Sequence, residues 1–290
     1  MQHWASDFVA GRAATRLSAL VAKQAVSTGD LRQAVEAAQR DHECHPSHYG
    51  LTFALAQACE RIASEVPWDA RSPWIEQARG YYEEAVRLAQ SGQIAGASGV
   101  REVAPSAWEP GLCQRDRAVL GASFHAGLLS VAEFRVRDPA RAIRHLTRVV
   151  EAVHDDHPAW YYLGEAYLLN DQFDEAERVW TDALSRSPGN ATLRAVLENL
   201  PADRVHHAVK SGDWQRVLRE IDRLPDSAMP ASERWTIEGD AHLALGNRDA
   251  ARRCWQKALE ADRLAIGVRS RLRKLEKGLP SRSAPQSPVL

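Results

Sequence analysis

The chain has 290 residues, 44% hydrophobic and 26% charged, enough apolar material to bury a substantial core within ordinary globular usage. Lys and Arg number 37 against 38 Asp and Glu, a formal net charge of −1, which excludes a global field drawing the protein to nucleic acid or to an anionic membrane. Its four cysteines, Cys44, Cys59, Cys113 and Cys254, form no C-x-x-C pair, which excludes a zinc or redox framework by spacing and a disulfide-dense scaffold.

The opening residues lack a basic start followed by an unbroken apolar run, so no secretory signal is read and a cytoplasmic location is expected. Residues 1–14 are read as a leading segment. Residues 15–48 form a helical hairpin around the turn STGDL at 27–31, with Ala34 and Ala38 on its second helix. Residues 49–90 form another, with helices over 49–65 and 74–90 separated by PWDARSP. Ala78, Tyr82 and Ala85 lie on the second of these helices. A loop at 91–114 follows, too long to be a simple connector in a compact array. The apolar stretch 118–132 is short for a membrane span and contains His125, so it reads as a central helix covered on both flanks.

Residues 123–156 place Ala142, Leu146 and Val149 on one helix that opens at Asp138-Pro139, a proline position helices tolerate. The next segment, 157–190, is the most explicit. Trp160, Leu163, Gly164 and Tyr167 have the spacing W-x2-L-G-x2-Y, followed by Ala176, Trp180, Ala183 and Pro188. Two short amphipathic helices cannot bury their apolar stripes alone. Small residues let them approach, large aromatics fill the space beside the contact, and the proline ends the second helix. This segment resembles the tetratricopeptide repeat (TPR) family, a 34-residue helix–turn–helix unit, with Trp180 where the family usually has Phe or Tyr.

A degenerate repeat is read at 191–231, its helices near 202–210 and 214–224 on either side of the turn SGDW. Residues 232–265 repeat the pattern through Trp235, Gly239, Ala251, Trp255 and Ala258, with Glu238 replacing the leucine, His242 the tyrosine and Arg263 the proline. Loss of that proline predicts a helix continuing into a capping helix at 263–279, before a disordered tail at 280–290. The resemblance therefore covers most of residues 15–265, interrupted by the loop at 91–114, and implies an all-α fold: a TPR-like α-solenoid over 15–279, of about six repeats wound as a right-handed superhelix with a C-terminal capping helix.

The stretch HECHPSH at 42–48 packs three histidines, a cysteine and a glutamate together. Pro46 falls where such a repeat has its terminating proline, so 42–45 read as a last helical turn, where histidines suit the helix dipole. The metalloprotease spacing H-E-x-x-H is missed by one residue. Helix punctuation is the reading, with a metal site on His42, Cys44, His45 and His48 as the alternative, and no cofactor is expected. The junction His154-Asp155-Asp156-His157 reads as solvated, His206-His207 as a helical pair, and GQIAGASG at 92–99 as a flexible loop without the ending of a phosphate loop.

No catalytic motif is found, so the resemblance implies a non-catalytic adaptor or scaffold that binds a peptide or partner helix in a concave groove. In that family the first helix of each repeat lines the groove, which assigns Lys23, Phe124, Tyr161, Glu165, Leu168, Thr236 and Asp240 to the partner-binding wall. Their mix of aromatic, apolar and acidic groups suits a partly apolar peptide of basic character. Glu165 and Asp240 stand where a chaperone-tail clamp of the family carries asparagine, which argues against that role. The basic cluster Arg263, Arg269, Arg271, Arg273, Lys274 and Lys277 reads as the solvated face of the capping helix rather than a nucleic-acid site. No nucleic acid or membrane partner is expected; assembly into a homo-oligomer is compatible with the chain.

Overall fold

The computed structural model describes residues 2–23, 26–97, 112–132, 137–152, 157–265 and 267–277. Residues 154–156 of the histidine junction, 98–111 of the long connection and the 280–290 tail lie outside the described residues. Among the described residues every regular element is helical, and two compact units divide at Pro188 and Gly189.

The first unit holds α1 (Gln2–Val21), α2 (Thr28–Cys44), α3 (Tyr49–Glu65), α4 (Ser72–Gln90), α5 (Gln114–Ala132), α6 (Pro139–Ala152), α7 (His157–Leu169) and α8 (Phe173–Arg186). Neighbours in sequence pack as hairpins, and hairpins stack through α1 on α3, α4 on α5, and α5 and α6 on α7. The ends are written in the sequence: Ser27 caps α2 by accepting the Asp30 N–H at 3.1 Å, and Pro73 sits inside the first turn of α4. The leading segment expected at 1–14 is not separate. α1 starts at Gln2, because Ala10, Ala14 and Leu17 recur on one helical face and are buried in the core.

The apolar stretch at 118–132 is the covered helix its composition predicts. α5 packs against α4, α6 and α7, and Leu120, Ala122, Phe124, Ala126 and Val131 are all buried. Two of its buried polar side chains meet partners inside the unit, though His125 Nε2 is buried without a hydrogen bond. Ser130 Oγ donates to the Ala126 carbonyl at 2.7 Å, and His125 Nδ1 lies 3.2 Å from Glu60 Oε2, which also accepts from the Tyr82 hydroxyl at 2.6 Å. Burial works to raise the Glu60 carboxyl, but His125 and Tyr82 outweigh it and hold the group below its ordinary value.

The second unit holds α9 (Ala191–Ser211), α10 (Trp214–Arg223), α11 (Ala231–Ala244), α12 (Arg248–Ala261) and α13 (Val268–Glu276), each packed on the next. Two expectations are corrected here. α9 starts at Ala191, capped by Asn190, and runs through Pro201 rather than beginning after it. Leu193, Leu200, Val205 and Ala208 are buried along it; the two leucines and the valine gain about 1.5–3 kcal/mol each, which offsets the roughly 3 kcal/mol of an interior proline. The final helix does not grow out of α12. α12 stops at Ala261, and α13 starts afresh at Val268 after Gly267, whose φ of 78° is the left-handed conformation glycine takes without strain.

Candidate functional site

In three of the hairpins one glycine contact marks the close approach of the two helices. A Cβ placed on Gly164 of α7 would fall on the Trp180 indole of α8, with Cδ1 at 2.6 Å and Nε1 and Cε2 closer still. Gly239 of α11 meets Trp255 of α12 in the same way, with Cδ1 and Nε1 at 2.5 Å. Gly127 of α5 meets Leu146 of α6, its Cγ at 2.6 Å. These glycines align the hairpins better than counting does. Gly164 and Gly239 lie 16 residues before their partners (180 − 164 and 255 − 239), whereas Gly127 lies 19 before Leu146 (146 − 127). The α5–α6 connection is thus three residues longer, and the repeat bound at 123 falls inside α5.

With that alignment, the residue three before the glycine is Phe124, Tyr161 or Thr236, and the residue one after it is Leu128, Glu165 or Asp240. Leu128, half-buried on α5, was not recognised from the sequence; the glycine–leucine contact is what locates it. Tyr161, Glu165 and Leu168 are half-buried on α7 at the i, i+4, i+7 spacing of one helical stripe. Phe124 lies on the adjacent α5 and is 9% exposed. Thr236 and Asp240 form the corresponding pair on α11. Lys23 does not join them: α1 ends at Val21, and exposed Lys23 lies in the turn beyond, its N–H bonded to the Leu20 carbonyl.

The two acidic positions differ in their surroundings. Burial pushes the Glu165 carboxyl above its ordinary value, with Arg137 pulling it back. Burial likewise raises Asp240, and Arg271 partly offsets this. Arg271, from α13, grips Asp240 with both ends of its fork, Nε to Oδ1 at 2.8 Å and Nη2 to Oδ2 at 2.9 Å. Trp255 Nε1 donates to the same Oδ1 at 3.2 Å. One arginine of the expected solvated basic face therefore turns inward.

The histidines of 42–48 do not converge. His42 Nε2 lies 3.0 Å from Thr52 Oγ1 and its ring meets Tyr81 edge-on. His45 caps the end of α2, and buried His48 caps α3, its Nδ1 accepting the Leu51 N–H at 3.1 Å. Among the described residues, the donor atoms that do converge are those of Glu238, His242 and Cys254, all within 4.8 Å of one another. The start of the long connection also has a place: the Gly50 N–H donates to the Ala95 carbonyl at 2.9 Å, and Ala97 is buried.

Residues 128–191 and 232–263 each match a tetratricopeptide-repeat profile. No curated protein matches the chain by sequence. Among solved structures, one of Naa15/Naa10 bound to HypK-THB is similar at a TM-score of 0.50 and 14% identity, over 86% of this chain and 32% of that one. The chain thus spans about a third of that neighbour's length. MamA is similar at 0.40 and 15% identity, over 93% of this chain and 98% of its own. YrrB, described as a TPR protein with an unusual peptide-binding site, is similar at 0.37 and 13% identity, over 82% of this chain and 99% of its own. At these identities the likeness is one of fold. No helix among the described residues is long and apolar enough to cross a membrane.

Proposed function

We propose that this tetratricopeptide-repeat protein is a non-catalytic scaffold of six such hairpins, and that the stripe Tyr161, Glu165 and Leu168 of α7, extended by Phe124 and Leu128 of α5, receives a partner peptide. The peptide presents an arginine to Glu165 and an apolar side chain to Tyr161 and Leu168. The observation that supports this reading is inside the chain itself. Asp240 holds the position equivalent to Glu165, one residue after the close-packed glycine, and there a guanidinium from another helix docks bidentately at 2.8 and 2.9 Å. A carboxyl raised by burial gains most from such a partner, since the pairing offsets its desolvation. Thr236 and Asp240 make the same surface on α11, with Arg271 in the place of the peptide's arginine.

Selection from a random peptide library against the full chain tests this. The expected ligands carry an arginine next to a large apolar residue. Glu165→Gln should weaken them by about 10–100-fold, the loss of a charge-assisted hydrogen bond of about 1.5–3 kcal/mol. Acidic ligands, or ligands indifferent to both Glu165→Gln and Tyr161→Ala, would refute the assignment.

A further inference from the structure

The α7–α8 and α11–α12 hairpins share the glycine–tryptophan contact, so each is a template for the other at an offset of 75 residues (239 − 164). At three positions around that contact they differ in kind. α7–α8 has Leu163, Tyr167 and Val179, all apolar or aromatic; α11–α12 has Glu238, His242 and Cys254. Three replacements of packing residues by metal-donor types, on two helices, bring their ligand atoms within 4.8 Å of one another. His242 Nε2 stands 3.9 Å from Glu238 Oε1, while its Nδ1 is buried without a hydrogen-bond partner. Helix packing alone does not require these residue types, because the sister hairpin fills the same positions with leucine, tyrosine and valine.

We propose that Glu238, His242 and Cys254 form a binding site for a zinc-like divalent cation, clamping α11 to α12. The donors of one tetrahedral zinc lie about 3.3–3.8 Å apart, given bonds of about 2.0–2.3 Å. Rotation of the Glu238 and His242 side chains, about a fifth exposed at 21% and 22%, closes the remaining gap and admits the ion from solvent. A mixed sulfur, nitrogen and oxygen set selects zinc or cobalt over magnesium and calcium, which take oxygen alone. Carboxylate and thiolate together neutralise the double positive charge, so the occupied site carries no net charge. Binding releases the Cys254 thiol proton to solvent. A fourth position stays open for water.

The test uses the full chain without a histidine tag, stripped with chelator and titrated with Co2+. The expected result is a thiolate-to-cobalt charge-transfer band saturating at one equivalent, removed by Zn2+, with Zn2+ also raising the melting temperature. Glu238→Leu with His242→Tyr copies the α7 residues and so preserves packing; it should lose the band and weaken cobalt binding by at least about 100-fold, a loss that even outer-shell partners can cause. Cys254→Val, copying Val179, should abolish the band while the protein stays folded by circular dichroism, and it decides the matter if the double variant misfolds. The His42→Ala, His45→Ala variant should bind as the parent does. Absence of the band in the parent, its survival in Cys254→Val, or its loss in the His42, His45 variant overturns the proposal.

Discussion

Gly164→Ala is the sharpest probe of how the hairpins hold together. In an exposed helix this change stabilises, by about 0.5–1 kcal/mol. Gly80, exposed in the middle of α4 with nothing within 4 Å of its would-be Cβ, offers that case in the same molecule. At Gly164 the added methyl meets indole Cδ1 at 2.6 Å, whereas ordinary contact begins at 3.4 Å, so Trp180 must withdraw by at least 0.8 Å. Overpacking of this kind costs roughly 1–3 kcal/mol. The withdrawal also strains the bond from Trp180 Nε1 to the Tyr161 carbonyl, now 3.1 Å, worth about 1 kcal/mol. Subtracting the helix gain leaves a net destabilisation of about 1–3 kcal/mol by these same figures. Urea unfolding followed by circular dichroism should therefore shift in opposite directions for Gly80→Ala and Gly164→Ala. Trp180→Phe, which shrinks the ring, should cost less in the Gly164→Ala background than in the parent. Equal effects of the two glycine changes, or strict additivity with Trp180→Phe, would refute the contact as the determinant of hairpin spacing.

Trp160→Ala, at a side chain 7% exposed and covered by the Arg186 guanidinium at 4.8 Å, should cost about 3–5 kcal/mol in the same unfolding assay. Because the Glu165 carboxyl is raised in the folded chain, its favourable contribution is full below its unfolded pKa and is lost as pH rises through the folded one. Glu165→Gln should then match the parent in acid and exceed it in stability at neutral pH, as read from melting temperatures across that window. Asp240→Asn removes the carboxylate that receives Arg271 from α13; hydrogen exchange of residues 268–276 should accelerate by about 10–100-fold, the loss of a charge-assisted pair, with residues 191–211 unchanged.

Much of the architecture was legible because the residues that set it are local. The W-x2-L-G-x2-Y spacing identified α7, and the apolarity of 118–132 identified a helix covered on several sides. The turn at Ser27 and Pro46 bracketed α2, which spans Thr28–Cys44. What escaped was set by contacts distant in sequence. Counting in steps of 34 misplaced the α5 register, since the longer connection shows only in the helix ends and in the Gly127–Leu146 contact. Pro201 reads as a helix start, and burial of Leu193 and Leu200 ahead of it carries α9 through. Lys23 was assigned by the same counting, and the end of α1 at Val21 removes it from the helical face.

The departures from the repeat pattern are more informative than the matches. Matches report what the α7–α8 and α11–α12 hairpins share: a glycine facing a tryptophan ring. Once Gly239 and Trp255 supply that contact, the flanking positions are released from packing duty and are free to carry chemistry. On one side of Trp255 lies Cys254, grouped with Glu238 and His242; on the other its Nε1 donates to Asp240, which also holds Arg271. An ion on the first group would fix the face of α12 that positions Trp255, and through Trp255 the carboxylate that retains α13. Zinc should therefore slow hydrogen exchange in α13 as well as at its own ligands. The effect should vanish in Asp240→Asn while cobalt binding persists, because the ligands and the latch are different residues joined by a single indole.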